Sequence, residues 1–231
     1  MESENANDSA ILPVSRSKSD AKRFYDGISR IYDLFSGPFE RKHVEEALAL
    51  LSLEESESVL EVGFGTGHAL KDLGERVSEA GFVVGIDIST GMVRAAKKRL
   101  KTLDLADRVC LCCGDAGVLP FRGGVFDASF MGFTLELFDA PEIPQVLNEV
   151  QRVLSAGGRL GVVSLSKEGG RSTASRLYEW AHERWPVIFD CRPIYLEDSL
   201  WEAGYGIITA KLSGMMGLPV GAVVAEKSTT N

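Results

Sequence analysis

Three alternating glycines form the feature of this sequence that is best suited to chemistry. They lie in the run EVGFGTG, residues 61–67, which follows a short apolar segment. Glycine permits a tight turn of the chain and lets a ligand approach the backbone closely. A helix after such a turn directs its free N–H groups towards whatever binds there. The run therefore predicts a ligand site, although a tight strand-to-helix turn without a ligand uses glycine in the same way.

The spacing of these glycines distinguishes two classes of nucleotide ligand. A dinucleotide fingerprint, G-x-G-x-x-G/A, needs a third small residue where helix and strand pack together. That position is His68 when counted from Gly63 and Leu70 when counted from Gly65, and neither is small. G-x-G-x-G after an acid is instead expected for S-adenosylmethionine (SAM), which carries a carboxylate and a sulfonium but no pyrophosphate. A nicotinamide-dependent oxidoreductase is the rival that this step leaves open.

Two aspartates follow predicted strands at positions where a nucleoside would lie. Asp87 ends the second strand, 20 residues after Gly67, and a carboxylate there can accept hydrogen bonds from ribose hydroxyls. Capping of the next helix is the other role that this position allows. Asp115 follows the third strand, where an adenine amino group would come, although aspartate before a loop is common.

Strands and helices alternate along the middle of the chain. Apolar runs predict strands at 58–63, 82–88, 108–114, 126–133 and 158–166. Helical patterns lie at 67–80, 91–103, 141–154, 171–185 and 195–203, with Ser89 as an N-cap and Pro141 at an early helical position. Such alternation indicates a parallel sheet covered on both faces. The runs 207–213 and 220–225 are too close together for a helical crossover and predict an antiparallel hairpin.

The regions that flank this alternation predict a tail and covering segments. Residues 1–19 are polar and charged, which predicts a mobile tail. Residues 20–52 carry an apolar helical stripe from Phe24 to Phe35 and then a second helix. Together with the aromatic segment 167–203, they are expected to form a lid over an apolar pocket. Residues 20–231 are expected to be a single domain.

Composition and charge argue against several classes of function. A net charge of −8 and a pI near 5.0 disfavour a nucleic-acid partner, because phosphate binding draws on clusters of Lys and Arg. The basic run 94–101 is interpreted as a solvated helix face. The sequence carries no secretory signal and no apolar run of about 18–20 residues. A cytoplasmic protein is therefore predicted.

The four cysteines predict free thiols. Cys110, Cys112 and Cys113 lie in one predicted buried strand, and Cys191 lies in a loop. No CxxC or Cys/His ligand spacing occurs, and free thiols suit a reducing compartment. We therefore predict no metal and interpret the three strand cysteines as packing residues.

Together these features resemble the class I SAM-dependent methyltransferases. The matching runs are VLEVGFGTGHAL, GIDIS, GDAGVLPF, FDASFMGFTLELFD and EVQRVLSAGGRLGVVSLS, which fall between residues 58 and 166 in the family's order. AKRFYDGISRIYDLFSGPFERK, DCRPIYLEDSLWEAGY and MMGLPVGAVVAEK are similar to the ubiquinone/menaquinone-biosynthesis group. The resemblance implies a Rossmann-like α/β fold, with a seven-stranded, mostly parallel sheet whose last strand is antiparallel, helices on both faces and an N-terminal helical lid.

The resemblance also implies roles for individual residues around SAM. The glycine run would hold the methionine end, Asp87 the ribose, and residues after the second and third strands the adenine. Phe133 and Thr134 would lie near the transferable methyl, and two N-terminal tyrosines would close over the cofactor unless they only pack an amphipathic helix. The implied SAM-binding set is Tyr25, Tyr32, Glu61, Gly63, Gly65, Thr66, Gly67, Asp87, Ile88, Met92, Asp115, Ala116, Phe133 and Thr134.

The methyl acceptor is the part of the function for which the sequence leaves most alternatives open. Candidates for a base or an acceptor contact are Tyr32, His182, Arg192 and Tyr195, with Arg192 favoured as a contact to an anion or a quinone oxygen. His43 is interpreted as solvated on a charged helix. We predict methylation of a small apolar or aromatic molecule, such as a quinone or a phenol. A lipid headgroup, a thiol and a SAM-binding regulatory protein without turnover are the alternatives. A membrane-dissolved acceptor and a homodimer are further expectations.

Overall fold

The computed structural model describes residues 23, 24, 26, 37–168 and 191–228. The predicted tail at 1–19 and the predicted helix at 171–185 lie outside these residues. The helices are α1 (Gly37–Leu51), α2 (His68–Arg76), α3 (Thr90–Thr102), α4 (Ile143–Val153) and α5 (Leu196–Glu202), with a 3₁₀ turn at Leu135–Leu137. The strands are β1 (Ser58–Val62), β2 (Phe82–Asp87), β3 (Val109–Cys113), β4 (Phe126–Gly132), β5 (Leu154–Leu165), β6 (Tyr205–Met215) and β7 (Leu218–Lys227).

The seven strands form one sheet in the order β3-β2-β1-β4-β5-β7-β6. The strands β1 to β5 are parallel to one another, whereas β7 runs antiparallel between β5 and β6. A two-residue turn at Met216 and Gly217, with φ values of 52° and 82°, closes the predicted hairpin. The prediction of a Rossmann-like, mostly parallel sheet with an antiparallel last strand is confirmed.

Helices cover both faces of this sheet because its central strands are apolar on both sides. β1 and β4 are buried along most of their length. On one face, α1, α2 and α3 contribute Leu48, Leu70 and Leu100 to the core. On the other face, α4 and α5 bury Val146 and Leu200. Packing from both faces fixes the strand ends, where the site described below lies.

The edge position of β3 changes the interpretation of the cysteines. Among the described strands, β3 pairs only with β2. Cys110 and Cys113 are exposed and Cys112 is half-buried, so the prediction of a buried strand is wrong. A strand at the edge of a sheet has less protein around it than a central strand. The prediction of free thiols is confirmed for all four cysteines.

The start of α4 also differs from the sequence prediction. The helix begins at Ile143 and carries Pro144, rather than Pro141, near its first position. Residues 139–142 form a turn instead, because Glu142 N donates to Asp139 O at 2.8 Å and Asp139 N donates to Glu142 Oε2 at 3.3 Å. None of the described helices combines the length and the apolar character needed to cross a bilayer.

α1 belongs to the packed core as well as to the predicted lid region. Leu48 and Leu51 are fully buried. His43, interpreted from the sequence as solvated, is only 7% exposed, because α1 packs on β6 and places His43 Nδ1 at 3.1 Å from Ser213 Oγ. Burial lowers the pKa of His43. His43 is therefore a packed residue and does not line the cavity at the strand ends.

Candidate active site

A cavity of about 420 Å³ opens at the carboxyl ends of the strands. The strand order reverses here, since β1 has β2 on one side and β4 on the other. Ligands of open α/β sheets bind in such a crevice. The predicted cofactor-binding residues that line it are Glu61, Gly63, Gly65, Thr66, Asp87, Ile88, Met92, Asp115, Ala116, Phe133 and Thr134.

The first glycine of the run turns the chain at the end of β1. Gly63 has a φ of +71°, and its N–H donates to the carbonyl of Ile86 on β2 at 2.8 Å. A Cβ at this position would overlap the side chain of Thr134, whose hydroxyl donates to the carbonyl of Gly63 at 3.1 Å. Glycine is therefore required for the close approach of the loops after β1 and β4.

The other two glycines have different roles. Gly65 has a φ of +53° and donates its N–H to Asp87 Oδ2 at 2.9 Å, which ties the turn to the end of β2. Gly67, predicted to hold the methionine end of SAM, does not line the cavity. It has a φ of +84° and precedes α2, and a Cβ there would lie 2.9 Å from Ala96 Cβ on α3. The structural requirement for Gly67 is thus the close packing of α2 on α3.

Glu61 is a buried acid on β1. It is 3% exposed, and its Oε2 atom has no hydrogen-bond partner within the part of the chain that the structure describes. Burial, together with the carboxylates of Asp87 and Asp72, raises the pKa of Glu61 well above its usual value. An unsatisfied buried polar atom costs free energy. A cationic donor bound in the cavity would remove that cost.

Asp87 is held at the cavity wall by two backbone donors. Its Oδ2 accepts from Gly65 N, and its Oδ1 accepts from Ser89 N at 2.8 Å. Burial raises the pKa of Asp87 to about 6, although these two hydrogen bonds oppose the rise. The hydroxyl oxygen of Ser89 accepts from Met92 N at 3.1 Å, which confirms the predicted N-cap of α3. The alternative role of Asp87, capping of α3, is therefore taken by Ser89.

The wall next to Asp87 is mostly apolar. Ile88 and Met92 follow β2, and Ala116 follows β3. Asp115 adds a carboxylate, whose Oδ1 accepts the N–H of Gly117 at 2.8 Å and so holds the loop after β3. Apolar walls with a few placed polar groups are typical of small-molecule sites. This part of the cavity suits a planar base that carries an amino group.

The wall after β4 contains residues that the sequence analysis did not single out. Val44 of α1 joins Leu137 and Phe138 there. Phe133 has a φ of +49°, a left-handed conformation that is rare for an aromatic residue, and its N–H donates to Val163 O at 2.8 Å. The rule that ligands bind at carboxyl strand ends indicates the segment after β4. No local signal indicates Val44, because α1 reaches the cavity only through packing.

Seven further charged residues line the cavity, and three of them, Lys71, Asp72 and Arg99, come from α2 and α3. Glu40 and Arg41 come from α1, and Asp139 and Glu142 come from the turn before α4. Glu142 accepts the N–H of Asp139, a bond that also stabilises the start of α4. An apolar pocket with carboxylates at its border can accept a proton from a bound hydroxyl or thiol.

Arg192, predicted to contact an anion or a quinone oxygen, does not line the cavity. It is fully buried and donates to the carbonyl of Phe138. Burial lowers the pKa of Arg192, and the charges of Asp139, Glu136 and Glu142 oppose that effect. Arg192 therefore lies behind the wall after β4 and supports it.

The other candidates for a base are placed as follows. Tyr195 immediately precedes α5 and is not part of the cavity lining; Nζ of Lys167 lies 5.6 Å from its ring centroid. Tyr25, Tyr32 and His182 lie outside the described residues. In the ranges that are described, no group of three or more His, Cys, Asp or Glu side chains could hold a metal ion.

The donors and acceptors of the cavity fit the separate parts of SAM. Glu61 offers an unsatisfied carboxylate oxygen to an ammonium group. Asp87 offers its carboxylate to ribose hydroxyls, and the apolar wall with Asp115 suits adenine. The turn at Gly65 leaves room for a ligand against the backbone, since a Cβ there would meet no atom within 4 Å. The residues present therefore fit the cofactor that the sequence implies.

Part of the chain is similar to known methyltransferases. Residues 59–158 match a family model described as a methyltransferase domain. A demethylmenaquinone methyltransferase of Symbiobacterium thermophilum is 31% identical over 155 residues, which are 65% of this chain and 61% of that protein. The match therefore spans about three fifths of the length of that curated relative.

Solved structures share the fold. The [4+2]-cyclase SpnF matches with a TM-score of 0.77 at 20% identity, over 96% of this chain and 100% of that one. A SAM-dependent methyltransferase from Aquifex aeolicus matches with a TM-score of 0.59 at 25% identity, over 93% of this chain and 100% of that one. The likeness to the cyclase shows the fold alone. Residues 59–158 thus match a methyltransferase-domain model, and the chain shares the fold of solved SAM-dependent methyltransferases, as its sequence predicts.

Proposed function

We propose that this chain transfers a methyl group from SAM to a small apolar or aromatic acceptor, with a quinol or a phenol as the favoured class. The observation that carries the proposal is the presence of two acids in one cavity, the buried Glu61 with an unsatisfied oxygen and the half-buried Asp87 with a raised pKa. The name of the Symbiobacterium thermophilum relative, a demethylmenaquinone methyltransferase, supports the acceptor class.

The two acids are proposed to bind different parts of the cofactor. Glu61 accepts a hydrogen bond from the ammonium of the methionine end, which satisfies its Oε2 atom. Asp87 accepts from the ribose hydroxyls, in the position that Gly65 N and Ser89 N fix. Asp115 binds the amino group of adenine. That Tyr25 and Tyr32 cover the bound cofactor remains a prediction.

The acceptor is proposed to bind against the apolar side chains of Val44, Phe133, Leu137 and Phe138. These residues give the cavity a surface that suits an aromatic ring better than a charged or macromolecular substrate. Arg192 holds the carbonyl of Phe138 from behind. The wall that receives the ring is therefore supported by a part-buried hydrogen bond.

Positioning and the exclusion of water are the main contributions of this chain to the reaction. SAM supplies a methyl group that is already activated by its sulfonium. Thr134, bonded to the carbonyls of Gly63 and Gly132, keeps the loops after β1 and β4 at a fixed distance. A quinol or phenol arrives protonated, and the carboxylates of Asp139 and Glu142 are the proposed proton acceptors.

Several finer predictions accompany this proposal. A lipid headgroup and a thiol are the alternative acceptors. We further predict a single domain at 20–231, with covering segments at 20–52 and 167–203. We also predict contact with a membrane-dissolved acceptor, a homodimer and a cytoplasmic location. A SAM-binding regulatory protein without turnover is the rival from another class, and the shared fold of the SpnF cyclase shows why turnover must be measured directly.

Methyl transfer is tested with SAM that carries a deuterated methyl group. The protein is incubated separately with a demethylmenaquinol analogue, a panel of phenols and a panel of thiols, and products are analysed by mass spectrometry. The proposal predicts a deuterated methyl on the quinol or on a phenol, and loss of product in the Asp87→Ala variant. Binding of SAM without any labelled product would favour the regulatory protein. Calorimetric binding of NADH but not of SAM would favour the oxidoreductase.

A further inference from the structure

Asp26 reaches from the N-terminal part of the chain to the start of α3. Its Oδ1 atom accepts from Gly91 N at 2.6 Å and from Ser89 Oγ at 2.7 Å. The hydroxyl of Thr90 donates to both oxygens of the same carboxylate at 3.3 and 3.4 Å. The hydrogen bonds from Ser89 and Gly91 lower the pKa of Asp26. A carboxylate from a distant segment thus satisfies donors at the first turn of α3.

The contact between Asp26 and α3 depends on the absence of a side chain at position 91. A Cβ on Gly91 would lie 2.8 Å from Asp26 Cα and 3.0 Å from Asp26 O. Any larger residue would therefore move the backbone of Asp26 away from α3. Asp26 and Gly91 form a matched pair, although 65 positions separate them in the chain.

The same turn carries Asp87. Ser89, whose hydroxyl donates to Asp26, also donates its backbone N–H to Asp87 Oδ1 at 2.8 Å. The negative charge of Asp26 raises the pKa of Asp87. The other charged groups nearby are Glu61 on β1, whose pKa is raised by Asp87, and Arg94 on α3, which acts on Asp26. Asp26 therefore acts on Asp87 both through Ser89 and through its charge.

We propose that Asp26 is a positioning residue of the cofactor site, which holds the turn at 88–91 so that Asp87 is presented to the ribose. Asp26 precedes residues 59–158, the part that matches the methyltransferase domain. The site is therefore completed by a residue from outside that domain match. The identity of the cofactor rests on the proposed function, whereas the coupling of Asp26 to Asp87 does not.

The test combines a measurement without ligand and a measurement with SAM. In the ligand-free protein, the carboxyl carbon of Asp87 is titrated by NMR in the wild type and in the Asp26→Asn and Asp107→Asn variants. Asp107 is exposed and serves as the matched control. We expect the midpoint of Asp87, about 6 in the wild type, to fall in Asp26→Asn and to stay in place in Asp107→Asn.

SAM affinity is then measured by calorimetry in Asp26→Ala, in Gly91→Ala and in the double variant. Each single substitution should raise the Kd for SAM about tenfold, as expected for the loss of a helix cap. The double variant should bind SAM no more weakly than the single variants, because both substitutions break the same contact. An unmoved Asp87 midpoint in Asp26→Asn, or wild-type Kd values in both alanine variants, overturns the proposal. If the wild type binds no SAM, the proposed function fails and the Asp87 midpoint alone decides the role of Asp26.

Discussion

Acidification through pH 6 should weaken the binding of SAM, because Asp87 must be ionised to accept hydrogen bonds from the ribose. Burial raises the pKa of Asp87 in the ligand-free protein to about 6. If only the ionised form binds, Kd scales as one plus the ratio of protonated to ionised Asp87. Kd is then about elevenfold higher at pH 5 than at pH 8.

Isothermal titration calorimetry at several pH values between 5 and 8 measures this dependence. The Asp87→Asn variant lacks the titrating carboxyl group of residue 87 but keeps Glu61. The change in Kd near pH 6 should therefore disappear in that variant, whereas any change in Kd caused by the titration of Glu61 should remain. The raised pKa also means that ligand-free Asp87 stabilises the fold less as pH rises from about 4 to 6, because the folded state binds more protons than the unfolded state there. A Kd that is constant from pH 8 to pH 5, or an equal step in Asp87→Asn, would refute the reasoning.

Four further substitutions test the site and its support. Glu61→Gln should raise the Kd for SAM by about 10- to 150-fold, because it removes a charge-assisted hydrogen bond of about 1.5–3 kcal/mol. Calorimetry measures this Kd, and a wild-type value would contradict the role of Glu61. Gly63→Ala should lower the free energy of unfolding in urea by about 3 kcal/mol or more, through overlap with Thr134 and a positive φ. Gly65→Ala, which meets no atom within 4 Å, should cost only about 1 kcal/mol, and equal losses would contradict this account. Arg192→Met should cost about 3–5 kcal/mol in the same assay, because it removes the hydrogen bond to Phe138 O and the positive charge near the buried Glu136. A neutral effect would show that Arg192 does not support the wall.

The parts of the site that the sequence predicts are those encoded by neighbouring residues. The glycine run and Asp87 follow adjacent parallel strands, and strand alternation alone places the ends of both at one edge of the sheet. Ser89 is recognisable as an N-cap because capping depends on the next three residues. The hairpin of β6 and β7 follows from a connection too short for a crossover.

Contacts between distant segments escaped the sequence analysis. The bonds from Ser89 and Gly91 to Asp26 join residues more than 60 positions apart, and nothing local marks Asp26 as a partner. The sequence favours Arg192 as a contact to an anion or a quinone oxygen, yet Arg192 is fully buried and donates to the carbonyl of Phe138.

Packing and strand order account for the other differences. Gly67 belongs to the glycine pattern, but its distance to Ala96 shows that helix packing requires it. The exposure of Cys110 depends on the edge position of β3, which strand periodicity does not reveal. Local patterns therefore predict which residues form the turn and the strands, whereas the strand order and the packing of helices on the sheet decide which of them line the cavity.

A crystal structure of the protein with S-adenosylhomocysteine tests the central claim most directly. We expect the ammonium of the ligand within hydrogen-bond distance of Glu61 Oε2, both ribose hydroxyls on Asp87, and the sulfur directed towards Phe133 and Thr134. Density for the ligand at another place, or a crevice at the ends of β1 and β2 that stays empty at saturating ligand, would contradict it.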